Sequence, residues 1–137
     1  MAAGNYSFII EQGTTTDFEL VYKDSSGNPI DLTKYKARMQ LKDSIGGSST
    51  YLTLSSSLQS DGTGLNLSGS GGNNASKPPT SGSIGIYISH ITSSNLTFDK
   101  AVYDLELISG SGNTAVVTRL LQGKINLSKQ VTTGDSY

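Results

Sequence analysis

Few side chains in this 137-residue chain could do acid–base or covalent chemistry, and their spacing argues against it. His90 is the only histidine, and there is no cysteine. A nucleophilic triad would need His90 as its base, yet none of the 22 serines lies in a Gly-x-Ser-x-Gly turn that would expose a nucleophile. One imidazole cannot supply a transition-metal site. A calcium loop needs closely spaced carboxylates ending in a bidentate acid. The segments beginning at Asp24 (Asp-Ser-Ser-Gly-Asn) and Asp61 (Asp-Gly-Thr-Gly) each supply one carboxylate and read as turns. The glycines at 69–72 are followed neither by Lys-Ser/Thr nor by a helical pattern, so they do not make a phosphate-cradling loop. These residues predict no enzyme, no cofactor, no metal and no small-molecule substrate, with His90 a surface or rim residue beside a strand end.

Charge removes further partners. Ten basic residues against 11 acidic ones give a net charge of −1, and only 15% of residues are charged. Nucleic-acid affinity comes largely from cations replacing counterions, so this balance argues against it. No apolar run approaches the roughly 18 residues of a membrane span. The first residues carry neither a basic region nor an apolar stretch, so no signal peptide is expected.

The elements that must position any surface chemistry are strands. Apolar residues recur with period two, the mark of half-buried strands. The pattern predicts strands over 5–11, 17–23, 36–42, 51–54, 83–89, 101–107, 114–121 and 124–128. Their inward sets include Tyr6, Phe8 and Ile10, then Phe18, Leu20 and Tyr22, then Ala37, Met39 and Leu41. In 114–121 the facing is ambiguous, because Val116 and Val117 compete for the core. Turn chemistry separates the runs: Asp24 to Pro29, Gly46-Gly47, and a five-residue hairpin loop over 109–113. Residues 31–35 read as an irregular turn, and 92–96 as the one short helical turn, since Ser and Thr favour N-caps. Short strands with glycine-rich turns and no long helix predict an antiparallel, all-β sandwich or barrel. The whole chain, 1–137, reads as one domain. It carries a flexible Gly/Ser-rich insertion at 68–82, which lacks any large apolar residue, and a polar tail at 132–137.

Two sets of side chains remain as candidate contact surfaces. Lys36, Arg38 and Lys42 line the outer face of one strand, and Asp104 and Glu106 that of a later one. If those strands pair, the charges stand opposite each other, either as a solvated ladder or as a charged docking face. Alternation also places Tyr51, Tyr87, Ile9, Val21 and Val102 opposite the core-facing set, and tyrosine is enriched at interfaces.

Residues 8–20, 22–43, 103–107 and 117–127, above all the run Gly27-Asn-Pro-Ile-Asp-Leu-Thr-x-Tyr-x-Ala-Arg-Met-Gln40, resemble an immunoglobulin-like domain of tailed-phage baseplate and tail proteins. That domain also stands at the N-terminus of some baseplate upper proteins. The resemblance implies an immunoglobulin-like β-sandwich of about 7–9 strands with at most one short helical turn. Within it, Pro29 and the turn at 31–33 swing the chain between sheets; Arg119, to which the resemblance gives no binding role, reads as a core-rim residue satisfying carbonyls or a carboxylate. The insertion at 68–82 departs from the family's shorter connection, and no receptor-binding or fibre domain is expected beyond the last strand.

What the resemblance implies is a non-enzymatic virion structural protein, a tail or baseplate adaptor made in the host cytoplasm and present in multiple copies per particle. Its partners would be other virion subunits. A neck or head-decoration protein of the same fold, or a receptor- or carbohydrate-binding module, are the alternatives; the absence of tryptophan weighs against the last.

Overall fold

A computed structural model describes residues 4–69 and 77–132. The chain forms β1 (Gly4–Asn5), β2 (Phe8–Glu11), β3 (Thr16–Val21), β4 (Tyr35–Lys42), β5 (Thr50–Ser55), β6 (Gly64–Asn66), β7 (Ser83–Ile88), one short helix α1 (His90–Ser94), β8 (Lys100–Ser109) and β9 (Val116–Ser128). The larger sheet runs β1-β9-β8-β4-β5, with β2 also on β9; the smaller runs β3-β7-β6. All pairings are antiparallel except those of β1 and β2, which lie parallel to β9. This is the all-β sandwich that the alternation predicts. The order β3-β7-β6 against β4-β8-β9 matches strands B-E-D and C-F-G of the immunoglobulin arrangement.

Period two produces the core directly. On β4, Ala37, Met39 and Leu41 are buried while Lys36, Arg38 and Gln40 are exposed. Met39 and Leu41 stand opposite Leu54 and Leu52 of β5 and Leu105 and Tyr103 of β8. From the other sheet, Ile84, Ile86, Ile88 and Leu65 close the interior, all fully buried. Each such side chain contributes about 1.5–3 kcal/mol by leaving water, which is how a chain without disulfides holds together. Phe8 of the larger sheet meets Phe18 of the smaller one with ring centroids 5.1 Å apart, bridging the two, and meets Tyr103 of its own sheet at 5.4 Å.

Four local expectations are corrected. The run 5–11 is not one strand: it breaks at Tyr6 and Ser7, and Tyr6, expected in the core, is 47% exposed. The runs 114–121 and 124–128 are one strand, β9, bent where a bulge opposite Leu105 and Glu106 leaves Leu120 without a partner on β8. Neither Val116 nor Val117 wins the core; both are exposed near the tip of the β8–β9 hairpin. The helical turn starts at His90 rather than 92, because Ser89 is the residue whose side chain accepts from the Thr92 amide.

Strand β6 has no counterpart among the strands that alternation predicts. Of the expected insertion at 68–82, residues 70–76 lie outside the described residues, as does 133–137 of the tail. The flanks of the insertion are built in: the Lys77 amide donates to the Ser68 carbonyl, and Pro79–Ser81 form a 3-10 turn.

Candidate docking face on the large sheet

The outer face of β4, β8 and β9 is organised by register. Arg38 stands opposite Glu106, and Glu106 opposite Arg119; Gln40 opposite Asp104, and Asp104 opposite Gln122; Lys42 opposite Val102, and Val102 opposite Lys124. Three rows of three side chains therefore cross the sheet, acidic or apolar on the central strand and basic or amide on its flanks. The pairing of β4 with β8 is the one the charge pattern calls for.

Within the rows, Arg38 Nε lies 2.6 Å from Glu106 Oε1, and Arg119 Nε lies 3.3 Å from Asp104 Oδ2. The Arg119 guanidinium also donates to Gln122 Oε1 at 3.4 Å, and the Gln122 amide to Asn5 Oδ1 at 3.5 Å. Both arginines are more than half exposed, so water and salt screen these pairs, and each contributes about 0–1 kcal/mol to the fold. Lys42 and Lys124 make no ion pair among the described residues. These side chains, with Ile45 from the β4–β5 loop as a rim, line an open trough of about 720 Å³.

No family model matches the chain, and no curated protein matches it. What the face can do follows from its own side chains.

Of the candidate interface residues, Arg38, Lys42, Asp104 and Glu106 come together here. Tyr51 and Tyr87 do not join them. Tyr51, on β5, stacks on the buried Phe98 with ring centroids 4.7 Å apart. Tyr87 is half-buried on the smaller sheet, opposite Asp17 and Gly64. Ile9 and Val21 are exposed on β2 and β3. Arg119 satisfies a carboxylate, that of Asp104, but from the exposed face rather than from the rim of the core. The residues that sequence reasoning left out of the face are Gln40, Arg119, Gln122 and Lys124. On β9 the outward positions run 119, 122, 124, and the bulge at Leu120 hides that set from any period-two scan.

A second polar cluster is architectural. Asp61 Oδ1 accepts from the Thr63 amide at 2.9 Å, making the expected turn. Its Oδ2 accepts from the hydroxyls of Ser89 at 2.5 Å and Thr92 at 2.7 Å. Ser89 in turn caps α1, so one carboxylate ties the loop before β6 to the helix N-terminus. The Ser89 hydroxyl, followed by the Thr63 amide and the Thr92 hydroxyl, holds the Asp61 carboxyl well below the usual carboxylate range, outweighing its partial desolvation. His90 heads that helix, half-buried, with its carbonyl accepting from the Ser94 hydroxyl at 2.6 Å. Among the described residues no group of three or more His, Asp or Glu could hold a metal ion, and no helix is long and apolar enough to cross a membrane.

Proposed function

We propose that this chain is a non-enzymatic virion structural protein of a tailed bacteriophage, a tail or baseplate component that docks to neighbouring subunits in multiple copies per particle. The observation that supports this reading best is the three-row charged face. Its ion pairs contribute little to the fold, so the side chains are free to exchange partners on contact, where complementary charge sets register and orientation. The run 27–40, which carries the resemblance to phage tail domains, includes β4 residues Tyr35 to Gln40 and so presents Arg38 to that face. A standard interface takes about 800 Å² from each partner, and one face of a six-stranded sheet can provide that. Work of this kind needs a rigid scaffold and a patterned surface, and no reacting group.

The test is to purify intact particles from the phage that encodes the chain and to locate it by mass spectrometry and electron cryo-microscopy. The expected result is a fixed copy number set by the symmetry of the tail, with the β4-β8-β9 face against another subunit. Absence from purified particles would overturn the proposal. Density on the head or neck would move the protein within the virion and remove the tail assignment.

A further inference from the structure

The three rows of the docking face are not equally complete. In the first, Glu106 of the central strand lies between Arg38 and Arg119; in the second, Asp104 lies between two glutamines and pairs diagonally with Arg119. In the third, Val102 occupies the central position between Lys42 and Lys124. Neither lysine has an ionic partner among the described residues. Their backbones are two strand spacings apart, about 10 Å, and long lysine side chains can converge on one anion above the valine. The trough thus holds four cations against two carboxylates, both already paired, in a chain whose net charge is −1.

We propose that this face binds an acidic segment of a partner polypeptide, one of whose carboxylates seats over Val102 between Lys42 and Lys124 and completes the third row. The inference rests on the docking reading above and adds the chemistry of the partner. A carboxylate side chain suits the place better than a polyphosphate: its methylenes can lie on the half-buried valine, whereas Asp104 and Glu106 in the floor of the trough would repel a chain of phosphates. Ile45, 93% exposed on the adjoining loop, offers an apolar contact to a neighbouring residue of the same segment.

The experiment is a titration of the ¹⁵N-labelled full chain with hexaglutamate, read by amide chemical shifts. Saturable shifts centred on Lys42, Val102 and Lys124 are expected. The Lys42→Gln/Lys124→Gln variant should bind at least tenfold more weakly, while Lys100→Gln/Lys129→Gln binds as the unmodified chain does. Val102→Glu supplies the missing carboxylate from within; it should block hexaglutamate while retaining the sheet spectrum and an unchanged or higher Tm. Unaltered binding by the double lysine variant, shifts centred elsewhere, or inorganic phosphate binding as tightly as hexaglutamate would each overturn the proposal. Incorporation into particles separates this inference from the one it rests on. If the unmodified chain is found in virions and Val102→Glu enters them equally well, the acidic partner is wrong and the assembly role stands. If the unmodified chain is absent from virions, the assembly role falls and the titration alone decides the chemistry of the face.

Discussion

The Tyr103 hydroxyl donates to the backbone carbonyl of Tyr6 at 2.5 Å, and Gly123, the residue opposite Tyr103 on β9, makes room for that carbonyl. A Cβ on Gly123 would stand 2.0 Å from the Tyr6 oxygen. The break between β1 and β2 is therefore a built joint: Tyr6, between the two strands, turns its carbonyl inward, a missing side chain admits it, and a buried phenol satisfies it. Burial, with Tyr6 nearby, pushes the Tyr103 hydroxyl up beyond the usual tyrosine range, so it remains a donor at any ordinary pH.

Two substitutions separate the parts of this joint. Tyr103→Phe keeps the ring packing on Phe8 and leaves the Tyr6 carbonyl without its partner, costing about 1–2 kcal/mol, or roughly 3–8 °C in Tm. Gly123→Ala forces the backbone of residues 6–7 away and should cost about 1–3 kcal/mol or more, with faster hydrogen exchange at the Tyr6 amide, which donates to Gln122 at 2.9 Å. A Gly123→Ala protein with unchanged exchange at that amide would contradict the steric account.

Asp61 makes stability depend on acid. Its folded pKa is depressed below its unfolded value of about 3.9. The stabilisation is therefore present above about pH 4 and is lost as pH falls from there toward the folded pKa. Asp61→Asn should be less stable than the unmodified chain at pH 7 by about 1–3 kcal/mol, and the gap should narrow steadily below pH 4. Urea midpoints measured for both proteins from pH 7 to pH 2.5 check this; a gap independent of pH would remove Asp61 as the source.

Leu65 tests an element that periodicity cannot reveal. Strand β6 is three residues long and begins at Gly64, whose φ of 151° places it outside the range L side chains readily adopt. A Cβ there would meet the Ser55 carbonyl at 2.7 Å. Even so, Leu65 is fully buried opposite Ile86. Leu65→Ala should cost about 2–5 kcal/mol, as should Ile86→Ala. A cost below about 1 kcal/mol by chemical denaturation would mean that β6 is not part of the cooperative core.

These residues show where the sequence was legible and where it was not. β4 and β8 could be read because every second residue alternates without interruption, and their opposite charges pointed to a pairing of the two strands whose register sets Arg38 against Glu106. β6 is too short for any period, and the joint at Tyr6 depends on a glycine more than 100 residues away. The third row of the face was hidden for a different reason. Lys124 faces Val102 only because a bulge at Leu120 shifts the register of β9, and register is set by tertiary pairing rather than by local composition. The cap of α1 shows the intermediate case, in which the residue type was right and the position was settled by Asp61 holding Ser89.

The last prediction separates the ladder's contribution to folding from the part proposed for it in assembly. A double-mutant cycle on Arg38 and Glu106 should give a coupling of at most about 1 kcal/mol, because both side chains remain in contact with solvent. Arg38→Glu with Lys42→Glu reverses two of the four trough cations on β4. The first change sets a second carboxylate against Glu106, yet the two side chains can swing apart into water, so the Tm should fall by only a few degrees. Assembly has no such escape: a partner carboxylate held against the trough would meet like charge at close range, and an interface tolerates that poorly. The reversed chain should therefore fold, remain monodisperse by size-exclusion chromatography, and be missing from particles produced in its presence. Normal incorporation of the folded, reversed chain would assign the ladder to solvent and take the docking face away from β4.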